Sequence, residues 1–190
     1  TLKVELHYTL DIDPKSIWLT VTPSAIAKSS IVYVQELGDF IAHSNYYTKR
    51  NNLPSYLILY TMSGEGILEY NGQKTHVLPS DVFWIDCMNP QHYYTSSNAG
   101  SWRAVWVHFF GASSKAFYDL FLLQNNGENK MPLAPDNNIA ASLYSLISLY
   151  HSGERSLTAD VHAAGLLTNI MVECVSASNS QLIYSGIPES

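Results

Sequence analysis

Positive charge is scarce in this chain. Ten lysines and arginines stand against sixteen acids in 190 residues, a net charge of −6, which excludes a surface built to track a phosphate backbone. Any contact with DNA therefore falls to a different segment. Cysteine is scarcer still. Cys87 and Cys174 lie far apart in different kinds of predicted element and give neither a metal-ligand spacing nor a disulfide framework, so they read as buried thiols in a reducing cytoplasm. No apolar run is long enough to span a bilayer, and the first residues lack the charged-then-apolar order of a signal peptide. The expectation is a soluble, cytoplasmic chain with no membrane partner. Motifs of nucleophilic catalysis are missing too: there is no G-x-S-x-G and no cysteine in an electropositive setting. The seven histidines contain no H-x-H, and His76 and His92 stand singly on separate predicted strands. No metal and no other cofactor is expected.

What the chain does have is a run of short strands. Tyr56–Tyr60 and Ile67–Tyr70 read as strands, Asn71-Gly72 as a two-residue hairpin turn, Lys74–Leu78 as the return, and Pro79-Ser80-Asp81 as a further turn. Val82–Ile85 and the long Arg103–Phe110 follow, rich in β-branched and aromatic residues. Such an antiparallel meander points to a small barrel or sandwich with room for a ligand. Residues 1–30 read as an extended arm carrying one short strand at Ile17–Val21. Ile31–Val34 is the next strand, Leu37-Gly38-Asp39 a turn, Phe40–His43 its partner, and Tyr46–Ser55 a polar loop. After Gly111 the period becomes helical: Ala116–Leu123 closed by Asn125-Asn126-Gly127, then Ile139–Tyr150, then a stripe of Ala163, Leu166, Leu167, Ile170, Met171, Cys174 and Val175. That stripe either packs wholly on the strands or is divided between them and a two-fold contact. The division is thus an arm (1–30), a β region (31–111), a helical region (112–178) and a linker-like start (179–190).

Binding of a polyol wants a flat aromatic face and a few forked polar groups. On the long strand, alternation puts Trp102, Ala104, Trp106 and His108 on one side and Val105, Val107 and Phe109 on the other. If the apolar side lies under the helices, the tryptophans line the interior. They then serve either as core filler or as a stacking wall. His92 and Tyr94 share a face of the preceding strand. Arg50 is either a solvated loop charge or a guanidinium that reads paired hydroxyls or a carboxylate.

The ordered set Arg50, Tyr56–Tyr60, Gly64-Glu65-Gly66, Gly72, Leu78-Pro79-Ser80-Asp81, His92-Tyr93-Tyr94 and Trp102 through Trp106-Val107-His108-Phe109-Phe110-Gly111 resembles the N-terminal effector domain of AraC-family transcription regulators. The likeness covers about residues 30–175. It implies a mainly β fold: a cupin-like antiparallel barrel of jelly-roll type without a metal, followed by helices used for dimerisation. By that resemblance an arm closes over a bound sugar, Trp106 stacks on its ring, and Arg50 and Tyr94 hydrogen-bond to it. Leu166, Leu167, Ile170, Met171 and Cys174 would contribute to a homodimer, and a helix-turn-helix DNA-binding unit would follow the linker. The candidate ligand set is therefore Arg50, His92, Tyr94, Trp102, Trp106 and His108, with a small-molecule effector, a saccharide, as the partner. A barrel enzyme and a ligand-free dimerisation module are the alternatives.

Overall fold

The computed structural model describes residues 2–153 and 155–177, so the expected linker at 179–190 lies outside the described residues. In chain order the elements are β1 (Glu5–Thr9), β2 (Ile17–Thr20), α1 (Ala25–Ser30), β3 (Val32–Ala42), β4 (Tyr47–Asn51), β5 (Tyr56–Gly64), β6 (Gly66–Tyr70) and β7 (Gln73–Val77). They continue with β8 (Asp81–Asp86), β9 (Gln91–Thr95), β10 (Trp102–Gly111), α2 (Ser114–Gln124), β11 (Lys130–Pro132), α3 (Ile139–His151) and α4 (Leu157–Ala177). The strands form two antiparallel sheets, ordered β1-β4-β9-β6-β7 and β11-β8-β5-β10-β3-β2. Asn71 and Gly72, both at positive φ, make the β6–β7 turn, as an Asn-Gly pair between apolar runs demands.

Strict alternation along β10 separates two cores. Val105, Val107 and Phe109 face α2, α3 and α4 together with Ile58, Trp84 and Val34. Trp102, Ala104 and Trp106 face the other sheet, where they meet Leu68, Tyr70 and Tyr93. The helices thus cover one side of the six-stranded sheet, and the space between the sheets is left for aromatic side chains. Trp84 stacks on Phe121 with ring centroids 5.1 Å apart, which seats α2. Asp39 fastens α3 to the sheet: it accepts from Arg103 Nε at 3.2 Å and Nη2 at 2.9 Å, and from the Tyr144 hydroxyl at 3.1 Å.

Several expectations change. The segment expected as one arm is two strands and a helix. Only β1 is exposed throughout, whereas β2 pairs with β3 and α1 is held where Ser24 N donates to Asp160 Oδ2. Leu37-Gly38-Asp39 is not a turn: β3 runs unbroken through it, because Gly38 is needed where the Trp106 ring and the Ile17 carbonyl crowd the chain. The expected loop at Tyr46–Ser55 contains β4, paired on both sides. The α4 stripe is spent inside the chain. Leu167, Ile170, Met171 and Cys174 are fully buried against the six-stranded sheet and its helices, and only Leu166 of the five expected dimer residues retains exposure.

Candidate functional site

A cavity of about 230 Å³ lies between the sheets, bounded by Glu36 and Phe40 of β3, Thr48 and Arg50 of β4, Tyr93 of β9, and Trp106 and His108 of β10. Leu6 and Tyr8 of β1 and Trp18 of β2 form its outer rim. Two features of local geometry aim these groups. Cross-strand pairing of Arg50 with Gln91 and of Thr48 with Tyr93 gives all four the same facing, toward the interior. On β3 a bulge between the pairs Val34–Phe109 and Glu36–His108 inserts Gln35. The parity flips there, so that Glu36 turns inward after Val32 and Val34 have faced the helices. Bulges beside sites commonly re-aim a side chain in this way.

Trp106 forms the aromatic wall, edge-on to Phe40 with centroids 5.0 Å apart. Its indole N–H is buried and meets no acceptor among the described residues. The Arg50 Nη1 donates to Gln91 Oε1 at 3.2 Å and to the Tyr93 hydroxyl at 3.4 Å. The Trp18 indole N–H donates to Glu36 Oε1, and burial raises the Glu36 carboxyl above its usual range despite that bond. His108 is buried, with Nδ1 2.9 Å from Ser55 Oγ. Burial, aided by the positive Arg50, holds its pKa well below the ordinary 6.5, and burial pushes the adjacent Cys87 thiol up to about 12. The cavity therefore offers one fixed cation, one acid, neutral hydrogen-bonding groups and a flat indole face.

The His108 environment sets a pH dependence. The imidazole takes a proton readily in the unfolded chain near 6.5 and only at lower pH in the fold. The unfolded state therefore binds more protons in that window, and stability drops as pH falls through it. The expected loss is up to about 1.4 kcal/mol per pH unit from this group. Urea denaturation between about pH 7 and pH 5 should show a shallower acid decline for His108→Gln than for the native chain. Parallel declines would show that another group is responsible.

Of the six residues read from the sequence, the structure brings Arg50, Trp106 and His108 to the cavity. Trp102 faces the interior but does not line that cavity. It is packed between Gly66, Tyr46 and Tyr93, with Nε1–H donating to Thr61 Oγ1 at 3.0 Å. His92 and Tyr94 lie on the outer face of the five-stranded sheet. There His92 Nδ1 sits 3.0 Å from Glu69 Oε2, and its ring lies 4.7 Å from that of Tyr94. The register explains the swap: Arg50 and Tyr94 have opposite parity, so Tyr93 is the inward neighbour. Tyr93, Glu36 and Phe40 are the site residues that sequence reasoning missed. Recognising β4 as a strand would have recovered Tyr93, whereas Glu36 needed the bulge. A more open groove of about 710 Å³ crosses the outer face past His92, Lys49 and Glu69. It lacks the indole wall and is the weaker candidate. Among the described residues, no group of three or more His, Cys, Asp or Glu is placed to hold a metal ion.

A partly open, aromatic-walled cavity between two antiparallel sheets, backed by helices, has the form of a small-ligand-binding domain. The model of the AraC-like ligand binding domain matches residues 36–170, and this chain belongs to that family. Among solved structures, the AraC-like transcriptional activator CuxR aligns with 98% of this chain and 64% of its own, at 11% identity and a TM-score of 0.51. At that identity the likeness concerns the fold, and the present chain spans less than two thirds of that regulator. YhaK from Escherichia coli aligns at 7% identity over 64% of this chain and 51% of its own, with a TM-score of 0.48. A cupin superfamily protein from Desulfitobacterium hafniense aligns at 11% identity over 52% of this chain and 80% of its own, with a TM-score of 0.39. No curated protein sequence matches.

Proposed function

We propose that this chain is the sensing domain of an AraC-type bacterial transcription regulator. In this reading it binds a small effector, a saccharide, between the sheets and relays its presence to a helix-turn-helix DNA-binding domain elsewhere in a longer cytoplasmic protein. The observation that carries the reading is the placement of Trp106, Arg50, Tyr93 and His108 around one 230 Å³ cavity. That volume suits a compact molecule of monosaccharide size and falls below the ~300–1,000 Å³ of sites for drug-sized ligands. An indole face suits sugar C–H groups, and Arg50, Tyr93 and Glu36 suit its hydroxyls. The reading is of a binding domain and not of an enzyme.

A ligand controls a regulator only by preferring one arrangement over another. The exposed strand β1, whose Leu6 and Tyr8 rim the cavity, is the element a ligand would order. The test is a thermal-shift screen of pentoses and hexoses with native chain and Trp106→Ala. A true effector at about a hundred times its dissociation constant stabilises the native fold by about 2.7 kcal/mol. It also slows proteolysis within residues 2–11, and the Trp106→Ala chain loses at least tenfold in affinity. A ligand that binds with no change in cleavage overturns the switch. A native chain that responds to no small molecule supports a ligand-free dimerisation module instead.

Pairing into a homodimer would use the outward side of α3 and α4, where Leu166 lies in a trough with Tyr144 and His162, and Val161 and Val172 are about half exposed. Leu166→Glu is then expected to halve the mass in solution while leaving a cooperative melt. An unchanged mass assigns the contact to another surface.

A further inference from the structure

We propose that the effector is an acid of monosaccharide size, held by its carboxylate on the Arg50 guanidinium. The proposal rests on the cavity being the effector site and narrows its ligand to one chemical class.

Arg50 carries a charge that no carboxylate of the described residues meets at ion-pair distance, although the more distant Glu36 feels it. Arg50 is half-buried on the cavity wall, and its hydrogen-bond partners, Gln91 Oε1 and the Tyr93 hydroxyl, are both uncharged. No carboxylate of the described residues lies within 4.0 Å of it. The groups behind it add no negative charge, since burial keeps the Cys87 thiol protonated and the His108 ring neutral. The same chain treats Arg103 differently, giving its fork both oxygens of Asp39. A guanidinium drawn out of water costs free energy unless an anion meets it, and its planar fork matches a carboxylate better than it matches a single hydroxyl.

Glu36 is the one acid on this wall, and it is already engaged by the Trp18 indole N–H. Burial raises its pKa against the opposing pull of the Trp18 bond and of the Arg50 charge. It also fixes an orientation. The ligand's acid end goes to Arg50, and a hydroxyl goes toward Glu36. The body then lies against Trp106 and Phe40, beneath Leu6 and Tyr8. The unpartnered N–H of Trp106 adds a second donor on the same wall.

The shared chemistry, a compact organic carboxylate, comes from two sources, sugar acids and aromatic acids, and the experiment separates them. Isothermal titration of the full chain uses galacturonate against galactose, glucuronate against glucose, and benzoate against benzyl alcohol. Each pair differs mainly in its carboxylate, so no variant is needed for the first result. At least one acid is expected to bind ten times or more tightly than its neutral partner. That preference should vanish in Arg50→Gln, and Glu36→Gln should tighten the acid several-fold. Uronates ahead of benzoate assign a sugar acid, and the reverse order assigns an aromatic one. Equal binding within every pair, or an acid preference that survives Arg50→Gln, overturns the proposal. Binding of neutral sugars alone overturns the acid while leaving the effector site standing. If none of the six binds a chain that melts cooperatively, the acid and the saccharide reading fall together.

Discussion

Replacing Trp102 by alanine is expected to lower the free energy of unfolding by about 3–5 kcal/mol, the range for removing a large aromatic ring from a tight core. The indole is 1% exposed, and the chain is shaped around it. A Cβ on Gly66 would stand 2.3 Å from ring atom Cε2, so the glycine exists to let the ring through. Tyr46 and Tyr93 close the sides at centroid distances of 6.2 and 6.3 Å. The fully buried Thr61 hydroxyl accepts the indole N–H. Truncation leaves a void and strands that hydroxyl, and neither is repaired by relaxation of strands paired on both edges. Urea denaturation checks the result, with a lower midpoint and an unchanged slope. Trp102→Phe should recover part of the loss. A cost below about 1 kcal/mol would mean that the ring is not filler. Trp106→Ala is expected to cost less stability because its ring borders space that already exists, and its larger effect falls on the ligand.

The second large effect is expected at Gly38. An alanine there places Cβ 2.6 Å from the Ile17 carbonyl oxygen and 2.7 Å from Trp106 Cζ2. The carbonyl belongs to β2, whose register pairs Trp18 with Gly38, so it cannot retreat without loosening that pairing. The indole must tilt instead. Overpacking of this kind costs about 1–3 kcal/mol, and a displaced Trp106 wall weakens ligand binding as well. Melting temperature and ligand affinity are expected to fall together. Combining Gly38→Ala with Trp106→Phe should show favourable coupling, because the smaller ring leaves room for the methyl. Strictly additive losses would show that the strain is taken up at Ile17 alone.

Gly72 and Gly38 show where sequence reasoning reaches and where it stops. Asn71-Gly72 was legible because a two-residue hairpin is a local event, decided by φ at two positions. Gly38, beside an aspartate, has the same turn composition, yet its role is set by a ring arriving from a strand nearly seventy residues later. The facing of β10 was legible because apolar and aromatic-polar residues alternate there without interruption. In β4 the inward residues Thr48 and Arg50 are polar like the outward Lys49, so alternation carries no contrast and the strand passes for a loop. Without β4, nothing fixes the register of β9, and Tyr94 is chosen where Tyr93 points inward. The α4 stripe announced burial but not against what. Leu167, Ile170, Met171 and Cys174 satisfy it with the chain's own sheet and helices. Arg50, Trp106 and His108 meet at the cavity because they sit where parity was readable or where a lone guanidinium was conspicuous.

The anchoring of residues 11–30 fixes where β1 can hinge. Ile12 bridges to Ala42, Asp13 N donates to the Ile41 carbonyl, and the Asp11 carbonyl and side chain accept from His43 and Asn45. Everything after that knot is sewn down through β2 and α1. If β1 peels from β4, the release stops at Leu10, just before the knot. A strand hinged there swings without unravelling anything downstream, and it leaves the outer edge of β4 bare each time it lets go.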